Sequence, residues 1–160
     1  MKIFKLFLCL FCVLTAGGYM RFDKLTDSFS VAHKMVVTIE SKDYEFEKGN
    51  DKFEDALKTL KEITLHSHEM PAFGVSIDEY TRKDRQKGIW MELVFDSPCK
   101  HEGMDFDSLL INVTENAYGF NLIRKVNGKY DGRCFYLSLD NSTKPLYTLL
   151  NELGEKLSKE

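Results

Sequence analysis

Proline is scarce: only Pro71, Pro98 and Pro145 occur in 160 residues, so no Pro-rich linker divides the chain. Internal repeats and low-complexity tracts are also absent, and the length suits one domain rather than two. No basic patch is large enough to track a phosphate backbone, which argues against a nucleic-acid partner. The densest basic stretch, Arg82-Lys83-Asp84-Arg85-Gln86-Lys87, is short, is interrupted by Asp84 and reads as a solvated loop. The chain has no G-x-S-x-G, no H-E-x-x-H and no Gly-rich phosphate loop, and so lacks the common hydrolase and nucleotide-binding signatures. Its longest apolar run is Leu6 to Thr15, too short for a comfortable membrane span. What is plentiful is core material: 43% hydrophobic residues and 12% aromatics, enough to exclude wholesale disorder.

The first eighteen residues stand apart. Lys2 and Lys5 give a basic start, Leu6 to Thr15 an apolar segment, and Ala16-Gly17-Gly18 a small-residue stretch. That is the layout of a secretory signal peptide cleaved after Ala16 or Gly18, leaving residues 19–160 as the mature domain in the periplasm or outside the cell. Two alternatives stay open: an uncleaved anchor formed by residues 6–18, or a cytoplasmic protein translated from Met20. A lipoprotein fits poorly, because Cys9 and Cys12 lie inside the apolar run. Without residues 1–18 the chain has 20 basic and 25 acidic residues. Cys99 and Cys134 remain. In an exported protein they could pair and close a loop of about 35 residues, worth roughly 3–4 kcal/mol; otherwise they are two separate thiols, with Cys134 packed in a strand.

The most strongly specified local structure is Gly119–Leu139, which reads as a β-hairpin. Asn127-Gly128 supplies the positive φ that a type I′ turn needs at both central residues. A two-residue loop pairs Val126 with Lys129, Arg124 with Asp131, Leu122 with Arg133 and Phe120 with Phe135. One face then carries Phe120, Leu122, Phe135, Leu137 and Leu139. The other carries Asn121, Ile123, Lys125, Tyr130, Cys134 and Tyr136.

Elsewhere, Leu25, Phe29 and Ala32 have the spacing of a short helix. Met35–Glu40 is β-branched and Tyr44–Glu47 alternates, so they read as two strands. Asp51 to His66 carries an apolar stripe of Phe53, Ala56, Leu57, Leu60 and Ile63, with Asp51 and Glu54 as a capping box. Ala72 to Ile77 reads as a short strand, as do Gly88–Asp96 and Phe106–Thr114, with Ser97–Gly103 as a loop between the last two. Leu146, Leu149, Leu150, Leu153 and Leu157 mark a final helix with Pro145 in its first turn. Strands in hairpin order with helices at separate points predict an α+β domain: a mostly antiparallel sheet with two amphipathic helices on one face.

Three sets of residues could carry chemistry. His66, His68, Cys99 and His101 form a loose tetrahedral zinc set, with solvated polar residues as the plainer reading. Glu92, Asp96, Asp105 and Asp107 could support acid–base work, although acidic residues at strand ends are usually just hydrated. Trp90, Tyr118, Arg124, Tyr130, Asp131 and Arg133 gather residue types that dominate protein interfaces, with a cross-strand ion-pair group as the plainer reading. No catalytic residue, metal ligand or cofactor is assigned. Asn112 and Asn141 head glycosylation sequons, of which Asn141, in a loop, is the better acceptor.

The segment Gly88-Ile89-Trp90, Glu92, Phe106, Leu109-Leu110, Gly119-Phe120-Asn121, Arg124, Gly128, Tyr130 and Gly132-Arg133-Cys134 resembles a group of small bacterial proteins. More loosely it is similar to the immunity proteins that accompany polymorphic toxins, which are small, acidic and α+β. The resemblance covers about a third of the chain. It implies a non-enzymatic inhibitor whose partner is another protein, either a toxin or a hydrolase. A small metal-dependent or acid–base hydrolase and an envelope protein of structural role are the alternatives.

Overall fold

A computed structural model describes residues 18–71 and 74–159. Residues 1–17 of the signal-like segment, and residues 72–73 of the expected strand Ala72–Ile77, lie outside them. Element order is β1 (Met20–Arg21), a 3₁₀ helix (Leu25–Val31), β2 (Ala32–Ile39), β3 (Lys42–Glu47), α1 (Asp51–Thr64), β4 (His68–Met70) and β5 (Val75–Ser76). Then come α2 (Asp78–Asp84), β6 (Ile89–His101), β7 (Met104–Asn112), β8 (Gly119–Lys125), β9 (Gly132–Arg133), β10 (Phe135–Ser138) and α3 (Lys144–Leu157).

The main sheet runs β3-β2-β6-β7-β8-β10-β4, all antiparallel, and β1 adds a short parallel pairing to the far end of β6. Strand period sorts the side chains onto two faces. Met35, Val37, Met91, Leu93, Leu109, Ile111, Leu122, Phe135 and Leu137 share one core with α1, α3 and the 3₁₀ helix. The domain is therefore α+β, with α1 and α3 packed on one face of the sheet.

Both helices bury the stripes that their sequences show. Asn50, not Asp51, caps α1: its side chain accepts from the Lys52 N–H, while Glu54 reaches back to the Gly49 N–H at 3.0 Å. The buried Thr143 heads α3. Its Oγ1 accepts from the Ala117 N–H at 3.0 Å and donates to the Thr114 carbonyl at 2.5 Å, tying the β7–β8 loop to the helix start.

β6 is longer than expected. It continues through Ser97 and Pro98, where the register with β7 shifts, and ends at His101. The bulge accommodates proline without breaking the ladder on either side.

The hairpin keeps its tip but not the expected register at its base. Asn127 and Gly128 have φ of 50° and 79°, and Val126 pairs with Lys129. Beyond that, Leu122 pairs with Phe135 and Phe120 with Leu137, two residues out of step with an uninterrupted hairpin. Residues 130–134 leave the ladder. Gly132, at φ 104°, turns the backbone, and β9 pairs with β5 instead of β8. The apolar face survives because a shift of two residues keeps side-chain parity, whereas a shift of one would invert it.

Candidate functional site

The excursion at residues 130–134 exists because α2 holds it. The seven-residue helix has Asp78 and Glu79 in its first turn and Arg82 and Lys83 in its last, the favourable order for its dipole. Asp78 Oδ1 accepts from the Tyr130 N–H at 2.9 Å, and the Asp78 N–H donates to Asp131 Oδ1 at 2.8 Å. Arg82 Nε donates to Asp78 at 2.8 Å and Nη2 to the Gly128 carbonyl at 2.6 Å. The Arg82 hydrogen bond, followed by the bond from the Tyr130 N–H, holds the Asp78 carboxyl below the usual carboxylate range. Hairpin tip and α2 are thus one interlocked unit on the second face of the sheet.

Beneath that unit lies a buried polar network centred on Glu92, which is 2% exposed. Its Oε1 accepts from Ser108 Oγ at 2.5 Å and Lys125 Nζ at 3.4 Å. Its Oε2 accepts from Tyr130 OH at 2.9 Å and Arg85 Nη1 at 3.1 Å. Arg85 also donates to the Tyr130 hydroxyl at 2.8 Å and, through Nε, to Thr38 at 2.8 Å. Thr38 in turn donates to Asp43 at 2.5 Å. Arg82 and Lys125 both lie over the Tyr130 ring, at 5.2 and 5.0 Å from its centroid. Burial, reinforced by the Glu92 charge, raises the Tyr130 phenol above its ordinary range. A cleft of about 310 Å³ opens beside this network, between Lys34, Asp43, Asp107 and Lys125. Glu92 meets four donors, two of them cationic, so its lone pairs are committed. Such a carboxylate fixes shape and is poorly placed to take a proton from a substrate.

The six residues expected to form a recognition patch do not share one surface. Trp90 and Tyr130 are 4% and 0% exposed and form a small second core with Leu110 and Ile123. Arg124 spends its guanidinium on the carbonyls of Arg133 and Asp105, both at 2.6 Å. Tyr118 is exposed in the β7–β8 loop, next to the start of α3 rather than at the tip. Only Asp131 and Arg133 are exposed beside α2.

The zinc set does not converge. His66 and His68 are exposed, Cys99 lies in the main core, and His101 is buried against Glu69. Among the described residues no group of three or more His, Cys, Asp or Glu is placed to hold a metal ion. The acidic set is likewise dispersed: Asp96 faces His33, Asp105 faces Lys100, and Asp107 accepts from the Asn127 N–H.

Cys99 and Cys134 are free thiols rather than a disulfide. Cys99 belongs to the main core, whereas Cys134 lies outside it against Ser76 and Arg124. Burial pushes the Cys99 thiol up to about 12, with the Asp107 charge adding to the effect, and burial also raises Cys134.

The apolar surface that pattern reading missed lies on β5 and α2. Val75, Ile77 and Tyr80 are 70%, 51% and 61% exposed within six residues of chain. Val75 pairs with Arg133 across the small sheet, which brings this patch to the hairpin. Its sequence signal was large apolar residues flanking a charged run, and such residues are read as core by default.

Fold and site together define an α+β domain carrying an interlocked hairpin–helix platform over a buried ionic network. No protein-family model, curated protein or solved structure matches the chain. Among the described residues no helix is long and apolar enough to cross a membrane.

Proposed function

We propose that this chain is an exported, non-enzymatic binding protein, immunity-like in role, which engages a protein partner through its hairpin–α2 platform. The observation that carries this reading is the exposure of Val75, Ile77 and Tyr80 within six residues of chain. Three large apolar side chains stand in solvent on a backbone cross-braced by Asp78, Arg82 and Asp131. Rigid presentation lowers the entropy lost on binding, and a compact apolar and aromatic centre with a charged rim is how protein interfaces concentrate their energy. Asp131, Arg133 and Glu79 supply that rim.

The test is affinity capture from the source with the wild-type chain and with an Ile77→Asp/Tyr80→Ala variant whose circular dichroism matches wild type. A stoichiometric protein should co-purify with wild type and be lost with the variant. Recovery of no partner, or equal recovery with both chains, counts against the reading.

A further inference from the structure

We infer that the cleft where the end of α1, the β7–β8 loop and the start of α3 meet is a saccharide-binding site built around Tyr118. It lies at one end of the α1/α3 layer, apart from the hairpin–α2 platform, and its volume is about 470 Å³, within the range of small-molecule sites. Tyr118 is 62% exposed, yet its backbone is braced on both sides. The Leu139 N–H donates to the Tyr118 carbonyl at 2.9 Å, and the Thr143 N–H donates to the Ala117 carbonyl at 2.9 Å. The buried Thr143 hydroxyl accepts from the Ala117 N–H at 3.0 Å. An aromatic ring on a braced loop loses little backbone entropy when a ligand settles on it.

Around the ring stand Glu62, Asp140, Asn141 and Ser142. Their polar atoms are almost wholly uncommitted, the reverse of Glu92. Glu62 has one ion pair, with Lys58 at 4.0 Å, between two exposed side chains. Ser142 Oγ accepts one long bond, at 3.5 Å from the Lys144 N–H. Among the described residues the side chains of Asp140 and Asn141 have no hydrogen-bond or ion-pair partner.

The lining selects the ligand. Two carboxylates accept, while the Asn141 amide and the Ser142 hydroxyl both donate and accept. No lysine, arginine or histidine lines the cleft among the described residues, so an anion would meet repulsion with no counter-charge. Ile63 and Pro145 complete the wall, and they offer too little apolar surface for a hydrocarbon. A pyranose has an apolar C–H face to lay on the Tyr118 ring. Its rim of hydroxyls donates to the carboxylates and accepts from the amide. An organic cation suits the ring and the carboxylates but offers no acceptor to the Asn141 and Ser142 donors.

Titration of the folded full chain with maltotriose, cellotriose and tri-N-acetylchitotriose, followed in ¹H–¹⁵N correlation spectra, tests this. At least one sugar should shift the amides of residues 117–118 and 140–143 saturably, with a Kd on the order of 1 mM or tighter, and leave residues 75–80 in place. Tyr118→Leu should weaken that binding at least about fivefold, the scale of an aromatic contact beyond its buried area, whereas Tyr118→Trp should retain it. Asp140→Ala/Asn141→Ala, with an otherwise unchanged spectrum, should abolish the shifts. The inference is overturned if none of these sugars shifts the named amides at about 10 mM, or if Tyr118→Leu or the double variant binds as wild type does. Saturable shifts of the same amides by tetramethylammonium chloride, with no effect of any sugar, reassign the cleft to cations and equally overturn it.

Discussion

The two faces of the sheet solve the same packing problem differently. The α1/α3 face is predominantly apolar, with His101 a buried exception beside Phe135, and derives its stability from buried area, which tolerates variation in detail. The α2 face buries a carboxylate, a phenol and two hydroxyls and ties them to two half-buried cations, Arg85 and Lys125. A network of this kind adds little net stability but permits one arrangement only, because every alternative strands a charge or a donor. The contrast explains why the large helices lie on the apolar side while the short α2 and the hairpin tip are positioned by hydrogen bonds.

The largest expected effect lies on the apolar face. Phe53→Ala, at a fully buried site on α1, should cost about 3–5 kcal/mol in denaturant unfolding. Glu92→Leu should cost nearly as much, about 3 kcal/mol or more, because it leaves Arg85 and Lys125 beside an apolar group. The sharper form of the comparison is Arg85→Met/Glu92→Leu. If the polar face is chiefly a specifying device, the double variant should be more stable than Glu92→Leu alone in a double-mutant cycle. Additive losses would place the two faces in the same class.

Gly119→Ala should cost about 1–3 kcal/mol, since its new methyl would meet the Leu137 carbonyl at 2.8 Å and the Tyr136 hydroxyl. Cys99, pushed up to about 12 by burial, should resist alkylation at pH 8 in the folded chain and react only with denaturant present. The smallest effect belongs to Asp78. Its folded-state value is depressed, so its contribution is present above its ordinary range and is lost as pH falls through the lowered value. A stability profile at acid pH should flatten in Asp78→Asn relative to wild type.

Sequence pattern recovered the parts governed by period. The stripes on α1 and α3, the β-branched run of β2, the inward residues of β6 and β7, and the positive-φ turn at Asn127-Gly128 are all where the sequence puts them. It failed where a tertiary partner overrides local preference. α2 has a charged, seven-residue sequence with no apolar stripe, so Arg85 looked solvated, although its side chain is largely buried against Glu92. The excursion at 130–134 depends on Asp78, more than fifty residues earlier. Trp90 and Tyr130 looked like interface residues because alternation cannot say whether a second sheet face is covered. The exposed trio Val75, Ile77 and Tyr80 was passed over for the converse reason.

The margins of the sheet also bear on how a partner is met. β3 presents Lys42, Asp43, Glu45 and Glu47 in six residues, and β4 is only three residues long with Pro71 immediately after it. Charges on one rim, and brevity followed by a missing N–H donor on the other, discourage a foreign strand from templating onto either edge. The domain is thereby guarded against fibrillar growth at high local concentration. Any visitor is left to read side chains rather than to extend the backbone ladder.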